Sequence, residues 1–412
     1  NPESLKKGAP VQGLGWYLMQ RSMDEVIFQN LGPEGKEIQL IKYLYAEAAE
    51  EETEAAAPAE KEEPVKKSVP FKVRKSKPSD TIEIAKCAYD AYGYSYKEYV
   101  YYPERLGKMM EEGGIISYVA VAKNGKQEIM AHAAIIVDDP AEKIGEMGMA
   151  FTKQAYQGLG CGKKIGLYLV KEILQHRFRG WYAYATTSHL FSQKTAFKNG
   201  ARDCCILLGD APASRKNQNF SAAPERGTRI YYFFNTQLSA FLGLSFRKKK
   251  IYAPPQHIEI IQKIYAHLKE KVAFQSEADD STDLPDTPAL IDTYTKPSRQ
   301  SAKIRVKEYG AGAVQKIERL VKKLCVDKFE VISLYLNLHD PLTAKLTAEF
   351  ESLCFFFIGI MPGAKSGDQL VLQYLNNILI NYEGIQLYSE FTKELLDYIR
   401  ERDPVRESVQ DA

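Results

Sequence analysis

The chain is 412 residues long, room for two or three units with cores of their own, because single cores rarely grow past about 250 to 300 residues. Lys plus Arg total 55 against 53 for Asp plus Glu, so no global charge draws it to nucleic acid or to an anionic membrane. Six cysteines without CxxC spacing or a paired His cluster argue against a zinc site or a disulfide framework, and the apolar runs stop well short of the roughly 18 residues of a membrane-spanning helix. A cytoplasmic, membrane-free protein is expected.

In chain order, the first block is GLGWYLMQRSMDEVIFQNLGPEGKEIQLIKYL. It predicts a glycine turn at Gly13 and Gly15, an amphipathic helix from about Trp16 to Met23, and two strands joined around Gly32 to Gly35. This block, residues 1–45, resembles the end of a GHKL-type ATPase domain of the anti-sigma kinase kind, where Gly-x-Gly-x-x-Leu closes over nucleotide and Met-Asp-Glu-Val starts the last hairpin. The resemblance implies an anti-sigma or other regulatory partner. The block is too short for a core of its own, and it lacks the upstream nucleotide and magnesium motifs; the chain begins at Asn1 with no signal-peptide pattern and reads as a cut within a longer protein. Residues 46–68 are an expected acidic linker, since Ala46 to Pro64 holds eight glutamates, one lysine and almost nothing large and apolar.

The central block spans 69–272. PFKVRKSK predicts a strand, DTIEIAKCAYDAYG a capped helix, and the stretch from about Glu104 to Glu112 a second helix. ISYVAVAKNGKQEIMAHAAIIVDD predicts two strands around Asn124-Gly125. IGEMGMAFTK is a further strand, followed by a glycine loop, a helix from about Gly162 to Gln175, the strand WYAYATT, a helix over Ser192 to Lys198 and the strand CCILLG. The order β-α-α-β-β-β-loop-α-β-α-β predicts an α/β fold (α+β, mixed sheet) with one phosphate-type loop in its middle.

That loop is QGLGCGKK, from Gln157. A P-loop fails, because the position five before Gly162 is Gln157 and Lys164 follows Gly162-Lys163; the dinucleotide fingerprint fails because Lys163 stands where its third glycine belongs. What fits is Gln-x-x-Gly-x-Gly between a strand and a helix. Here the sequence, over about residues 70 to 235, resembles the GNAT superfamily of N-acetyltransferases, whose acyl-CoA loop is Arg/Gln-x-x-Gly-x-Gly/Ala. Glycines at 158, 160 and 162 allow a tight turn that exposes successive N–H groups ahead of a helix N-terminus. The resemblance implies that Gln157, Gly158, Leu159, Gly160, Cys161, Gly162 and Lys163 hold the pyrophosphate of acetyl-CoA. It also implies that the backbone of Met149, Ala150 and Phe151, on a strand splayed from its neighbour, lies along the pantetheine arm.

Amine acetylation needs a proton acceptor and donors that stabilise the developing oxyanion. Glu146, in GEMGMAF, stands where family members often place a carboxylate base. The tyrosine acid that the family frequently carries four residues before a later glycine is missing, since Ala196 precedes Gly200 at that spacing; His189, Ser192 and Tyr184 are the substitutes at hand. Cys161 suits a small packing residue better than a nucleophile.

A polar stretch from Gln275 to Ser301 predicts a linker, 273–301. The last block, 302–403, predicts the strand AKIRVKEYG, the helix AGAVQKIERLVKKLC, the strand VISLYLNL, the helix LTAKLTAEFESLC, the strand pair FFFIGIM and QLVLQYL, and the closing helix SEFTKELLDYIRE. This order resembles the C-terminal half of the same acetyltransferase fold, without the Gln-x-x-Gly-x-Gly loop, and implies a second, degenerate GNAT-like domain. MPGAKSGDQ reads as a Pro-Gly turn and FRKKKIYAPP as a solvated charge run. The leading expectation is an acetyl-CoA-dependent N-acetyltransferase with an unidentified amine acceptor. The alternative is a catalytically inactive acyl-CoA sensor coupled to the ATPase-like block.

Overall fold

The structure, a computed structural model, describes residues 23, 25–30, 36–41, 69–94, 96–123, 128–137, 143–176, 178–211, 226–235, 249–275, 283–363 and 367–404. The chain divides into two compact units, residues 1–66 and 67–412. In the first, β1 (Glu25–Asn30) pairs antiparallel with β2 (Lys36–Ile41), as the sequence predicts for this stretch. The expected helix from Trp16, the glycines at 13 and 15 and the acidic linker lie outside the described residues.

The second unit is built on a twelve-stranded sheet. Its first part runs β3 (Phe71–Lys75), α1 (Thr81–Tyr92), α2 (Pro103–Glu111), β4 (Ile115–Ala122), β5 (Ile129–Ile136), β6 (Ile144–Thr152), α3 (Cys161–Gln175), β7 (Gly180–Thr186), α4 (Phe191–Lys198), β8 (Arg202–Ala211) and β9 (Gly227–Asn235). The segments IISYVAVA and IMAHAAII are apolar but for Ser117, the Tyr118 hydroxyl and His132, because both of their faces are covered. One face meets Cys161, Ile165, Leu169 and Ile173 of α3, and the other meets Ile84, Cys87, Ala88 and Ala91 of α1. The spacing of the α3 residues is the i, i+4 stripe of an amphipathic helix.

After β10 (Lys249–Ile251), α5 (Ile258–His267) and β11 (Val272–Phe274), the second part runs β12 (Leu290–Lys296), β13 (Ser301–Glu308), α6 (Ala313–Val326), β14 (Val331–Asn337), α7 (Pro341–Glu351), β15 (Phe356–Met361), β16 (Gln369–Leu375) and α8 (Glu390–Arg400). Asp340 caps α7 by accepting from the Leu342 N–H, and Ser389 caps α8 by accepting from the Thr392 N–H. The stretch expected as a linker, 273–301, therefore differs: it carries β12, which pairs antiparallel with β13 as an edge strand. Its polar letters reflect exposure on an edge, since most of β12 faces water. In the basic run, Lys249 is not merely solvated; its Nζ lies 2.9 Å from Glu270 and 3.2 Å from the buried Asp368. Among the described residues no helix is long and apolar enough to cross a membrane.

The two parts share one pairing pattern. β6 and β7 are parallel, β7 pairs antiparallel with β9, and β9 pairs antiparallel with β8. β13 and β14 are likewise parallel, β14 pairs antiparallel with β16, and β16 pairs antiparallel with β15. The parts join through the equivalent strands β8 and β15, which meet antiparallel at Gly359 and Cys205. Gly359 has φ +133°, and a Cβ there would lie 2.5 Å from the Cys204 carbonyl oxygen and 2.5 Å from the Cys205 Cα. Beside this point the Gln373 amide acts as a stretch of backbone: its Nε2 donates to the Leu208 O at 2.7 Å and its Oε1 accepts from the Leu208 N–H at 3.1 Å.

Buried Asp203 on β8 ties in two helices, accepting from His267 Nε2 of α5 at 3.1 Å, Thr392 Oγ1 of α8 at 2.7 Å and Ser389 Oγ at 3.0 Å. Burial alone would raise its pKa; the His267 and Thr392 donors outweigh that and hold it below the ordinary carboxylate value. Replacing Gly359 by Ala should destabilise the second unit by at least about 3 kcal/mol, because strain and a backbone clash coincide. Urea unfolding checks this, and an unchanged midpoint would show that the seam tolerates a side chain.

Candidate active site

The glycine loop joins β6 to α3. Gly158 and Gly160 have φ of +80° and +78°, and Gly160 caps the 15-residue α3 with no side chain accepting from the first-turn amides. A Cβ on Gly160 or Gly162 would meet no atom within 4 Å, so the space above the loop is open. Gly158, Gly160, Gly162, Lys163 and Lys164 are exposed, while Gln157 and Leu159 are half-buried. First-turn amides that no side chain caps, the positive end of a helix and two exposed lysines together make a cradle with room and charge for a pyrophosphate. Cys161 turns inward: it is 2% exposed and burial pushes its thiol pKa up, which fits packing. The turn before the loop is held by Glu128, which accepts from Lys153 Nζ and Tyr156 Oη at 2.8 Å each.

β6 and β7 pair only from Ile144↔Gly180 to Glu146↔Tyr182, although β6 runs on to Thr152 and β7 to Thr186. Beyond Glu146 the strands open into a wedge, whose β6 side carries Met149, Ala150 and Phe151. Here β6 is bulged. Between the pairs Ala134↔Gly148 and His132↔Phe151, Met149 and Ala150 oppose Ala133 alone, and Met149 takes φ +49°.

The residue that holds this bulge is His132. It is 2% exposed, its Nδ1–H donates to the Met149 carbonyl at 2.7 Å, and its ring stacks on Phe151 with centroids 4.9 Å apart. A carbonyl only accepts, so the ring proton sits on Nδ1 and Nε2 accepts from Ser117 Oγ at 2.5 Å; Ser76 Oγ lies 2.8 Å from Ser117 Oγ and completes the chain. Burial pushes the His132 pKa down to about 4 despite the Met149 bond, so the ring is neutral. A trans peptide sets the Met149 C=O and the Ala150 N–H on opposite sides, so His132 turns the Ala150 amide away from the buried α1 side. The sequence reading missed His132, whose one signal is a polar letter inside the apolar run IMAHAAII.

Glu146 stands at the mouth of the wedge, 16% exposed, with Lys97 Nζ at 3.1 and 3.3 Å from its two oxygens. Lys97 comes from the connection between α1 and α2, ahead of the short 3-10 turn Glu98–Tyr101. The ammonium neutralises the carboxylate charge, and the lone pairs it leaves on each oxygen can still accept from a further donor. Ala196, at the position of the missing tyrosine acid, is buried in α4. Of the substitutes, His189 accepts from the Phe191 N–H at 3.2 Å at the start of α4, and burial lowers its pKa. Ser192 Oγ is buried without a hydrogen-bond partner among the described residues. Tyr184 shares the Glu146 face of the sheet, and burial pushes its hydroxyl up to about 12.

A counterpart of the loop exists in the second part. Gly312 caps α6 with φ 72° and ψ 18°, close to the 78° and 13° of Gly160. Two residues earlier, at Gly310, the chain itself fills the space beside the loop. The Ala311 N–H donates to the Thr287 O at 2.9 Å, and Lys316, as far beyond Gly312 as Lys164 is beyond Gly160, donates to the Ala289 O at 2.9 Å. A Cβ on Gly310 would lie 2.0 Å from the Thr287 O. The strap Thr287–Ala289 thus lies against this loop at Gly310 and Ala311.

No family model matches the chain, and no curated protein sequence matches it. Solved structures similar to part of it are acetyltransferases. The ribosomal-protein-S5-alanine acetyltransferase of Vibrio fischeri is 14% identical, with 40% of this chain and 93% of that chain covered and a TM-score of 0.34. The spermidine/spermine N-acetyltransferase of Vibrio cholerae is 10% identical, covering 42% and 97% at a TM-score of 0.33. The ribosomal-protein-S18-alanine N-acetyltransferase of Escherichia coli is 13% identical, covering 40% and 94% at 0.32. Similarity at this level fixes neither substrate nor activity for this chain.

The neutral state of His132 has a measurable consequence. Its folded pKa of about 4 lies below the unfolded value near 6.5, so the unfolded chain binds the extra proton first, and stability falls as pH drops from 6.5 to 4. Relative to a His132→Asn variant, the protein should lose on the order of 3 kcal/mol across that window. Urea titrations at pH 7, 5.5 and 4 measure the difference, and parallel pH profiles would contradict a buried neutral ring.

Proposed function

We propose that the second unit is an acyl-CoA-dependent N-acetyltransferase that acts on an amine. The observation that carries this reading is the meeting, on one strand, of an open anion cradle, a wedge between parallel strands and a pinned bulge. Acetyl-CoA, when bound, supplies a thioester activated toward amines. Backbone amides from Gln157 to Lys163 bind its pyrophosphate, helped by Lys163 and the α3 N-terminus. The open space at Gly160 and Gly162 fits such a group, since no atom stands where a Cβ would be. Met149, Ala150 and Phe151 offer backbone to the pantetheine arm, and Glu146 accepts the proton of the incoming amine once Lys97 yields.

The second part reads as a degenerate partner of the same fold. Its repeated pairing pattern supports that reading, and the strap over its loop accounts for the loss of a second cofactor site. A regulatory reading is favoured by two observations, the Lys97–Glu146 ion pair and the alanine at 196. In it the unit binds acyl-CoA without transferring the acyl group, and reports to a partner through the ATPase-like block at residues 1–45. Either activity suits a cytoplasmic protein that binds neither membrane nor nucleic acid.

Calorimetry with CoA and thiol release from acetyl-CoA across an amine panel separate the two readings. Saturable CoA binding is expected below millimolar concentration, and Gly162→Leu, where the backbone is ordinary helix and the space is open, should weaken it at least about tenfold without lowering the melting temperature. Binding with thiol release supports the enzyme, binding without it supports the sensor, and no binding at millimolar CoA overturns both.

A further inference from the structure

An amine of the chain itself already stands at Glu146. Lys97 Nζ lies 3.1 and 3.3 Å from the two carboxylate oxygens, and both side chains are largely shielded from water, at 21% and 16% exposure. The carboxylate leans into the wedge. Its Oε1 overhangs Gly148, where a Cβ would lie 2.9 Å from it, and Gly148 belongs to the stretch of β6 that has parted from β7. The ammonium therefore sits at the space that the acetyltransferase reading gives to the thioester.

The connection that carries Lys97 is pinned to the same strand. Tyr96 meets Phe151 edge to face with centroids 5.7 Å apart, and Tyr99 Oη lies 3.7 Å from Met149 Sδ. Within the connection, Tyr101 Oη donates to the Gly93 carbonyl at 2.5 Å and accepts from the Tyr96 N–H at 3.3 Å, which fixes the backbone just ahead of Lys97. Contacts at Glu146, Met149 and Phe151 thus hold the lysine over the wedge. Lys86 with Glu83 and Lys108 with Glu112, on the flanking helices, are ordinary surface pairs, with the lysines 64% and 74% exposed. Lys97 differs from them in burial, in anchoring and in its partner, the residue read as proton acceptor.

We infer that Lys97 is itself an acceptor, and that the chain acetylates it in cis. This rests on the acetyltransferase reading. Glu146 takes a proton from the Lys97 ammonium, and the freed Nζ lone pair attacks the thioester carbonyl carbon of acetyl-CoA. The carbon–nitrogen bond forms, the carbon–sulfur bond breaks, and its electron pair leaves on sulfur. A second proton from Nζ passes to that thiolate, giving CoA thiol, and Glu146 returns the first to solvent. The product is a neutral amide, so the carboxylate loses its counter-charge and the first turnover clears the base for an amine from outside.

The test is site-resolved mass spectrometry of the full chain incubated with acetyl-CoA and no added amine. One acetyl group per chain is expected at Lys97, appearing at least about tenfold faster than at Lys86 or Lys108 and at a rate independent of chain concentration. Glu146→Gln should slow it at least about tenfold, and Lys97→Arg should remove it together with the thiol released. A second measurement needs no cofactor. Lys97→Ala should bind n-propylamine, the severed end of the side chain, at least about tenfold more tightly than the unsubstituted chain, whose own ammonium fills the place; calorimetry reads the difference. Acetylation no faster at Lys97 than at Lys86 and Lys108, a rate that Glu146→Gln leaves unchanged, or equal propylamine affinity in the two chains would each overturn the inference. Failure to bind CoA overturns both this inference and the reading beneath it, whereas CoA binding with Lys97 unmodified overturns this one alone.

Discussion

Two backbones approach at Gly359 and Cys205 more closely than any side chain permits, and the second unit depends on that approach. It is the point at which β8 and β15 meet, and it turns two strand sets into one sheet. Gln373 and Asp203 reinforce it by hydrogen bonds that are buried and fully directional. Because equivalent strands meet antiparallel, the two parts are related as partners in a dimer are, but within one chain.

The wedge between β6 and β7 is the second constraint, and it is local. Parallel pairing stops after Glu146, where the bulge rotates the backbone of β6. A bulge with a non-glycine residue at positive φ is costly, and it persists because His132 donates to the Met149 carbonyl, which fixes the tautomer, while Ser117 satisfies the other ring nitrogen. Burial makes that arrangement rigid, since a lone polar ring in an apolar core has no other partners to choose.

Much of this was legible in the sequence. Strand and helix order in both parts follow the period of the apolar letters, and the loop at Gln157 announces itself through three glycines before a helical run. What the sequence concealed depends on residues far apart. Lys97 and Glu146 meet across 49 positions, and nothing local to either signals the pair. The linker expected at 273–301 contains β12 because an exposed edge strand and a polar linker share a composition. Gly310 and Gly312 stand openly before a helix, but Lys307 occupies the position of the pattern's Gln, and the strap against the loop comes from residues 287–289. The hairpin from Glu25 to Ile41 was legible from its alternation, whereas its relation to an ATPase remains a proposal.

The seam also decides where the sheet ends. Two separate halves would each expose a free strand, β8 and β15, which are apolar along most of their length and apt to recruit other chains. Joining them consumes both, so the remaining borders of the sheet are β3 and β12. Those borders read FKVRK and LIDTYTK, with charged and hydroxyl side chains turned to water and lysines on both. Fusion therefore hides the adhesive margins and leaves charged ones outside, a safeguard against self-association that costs the fold no additional element.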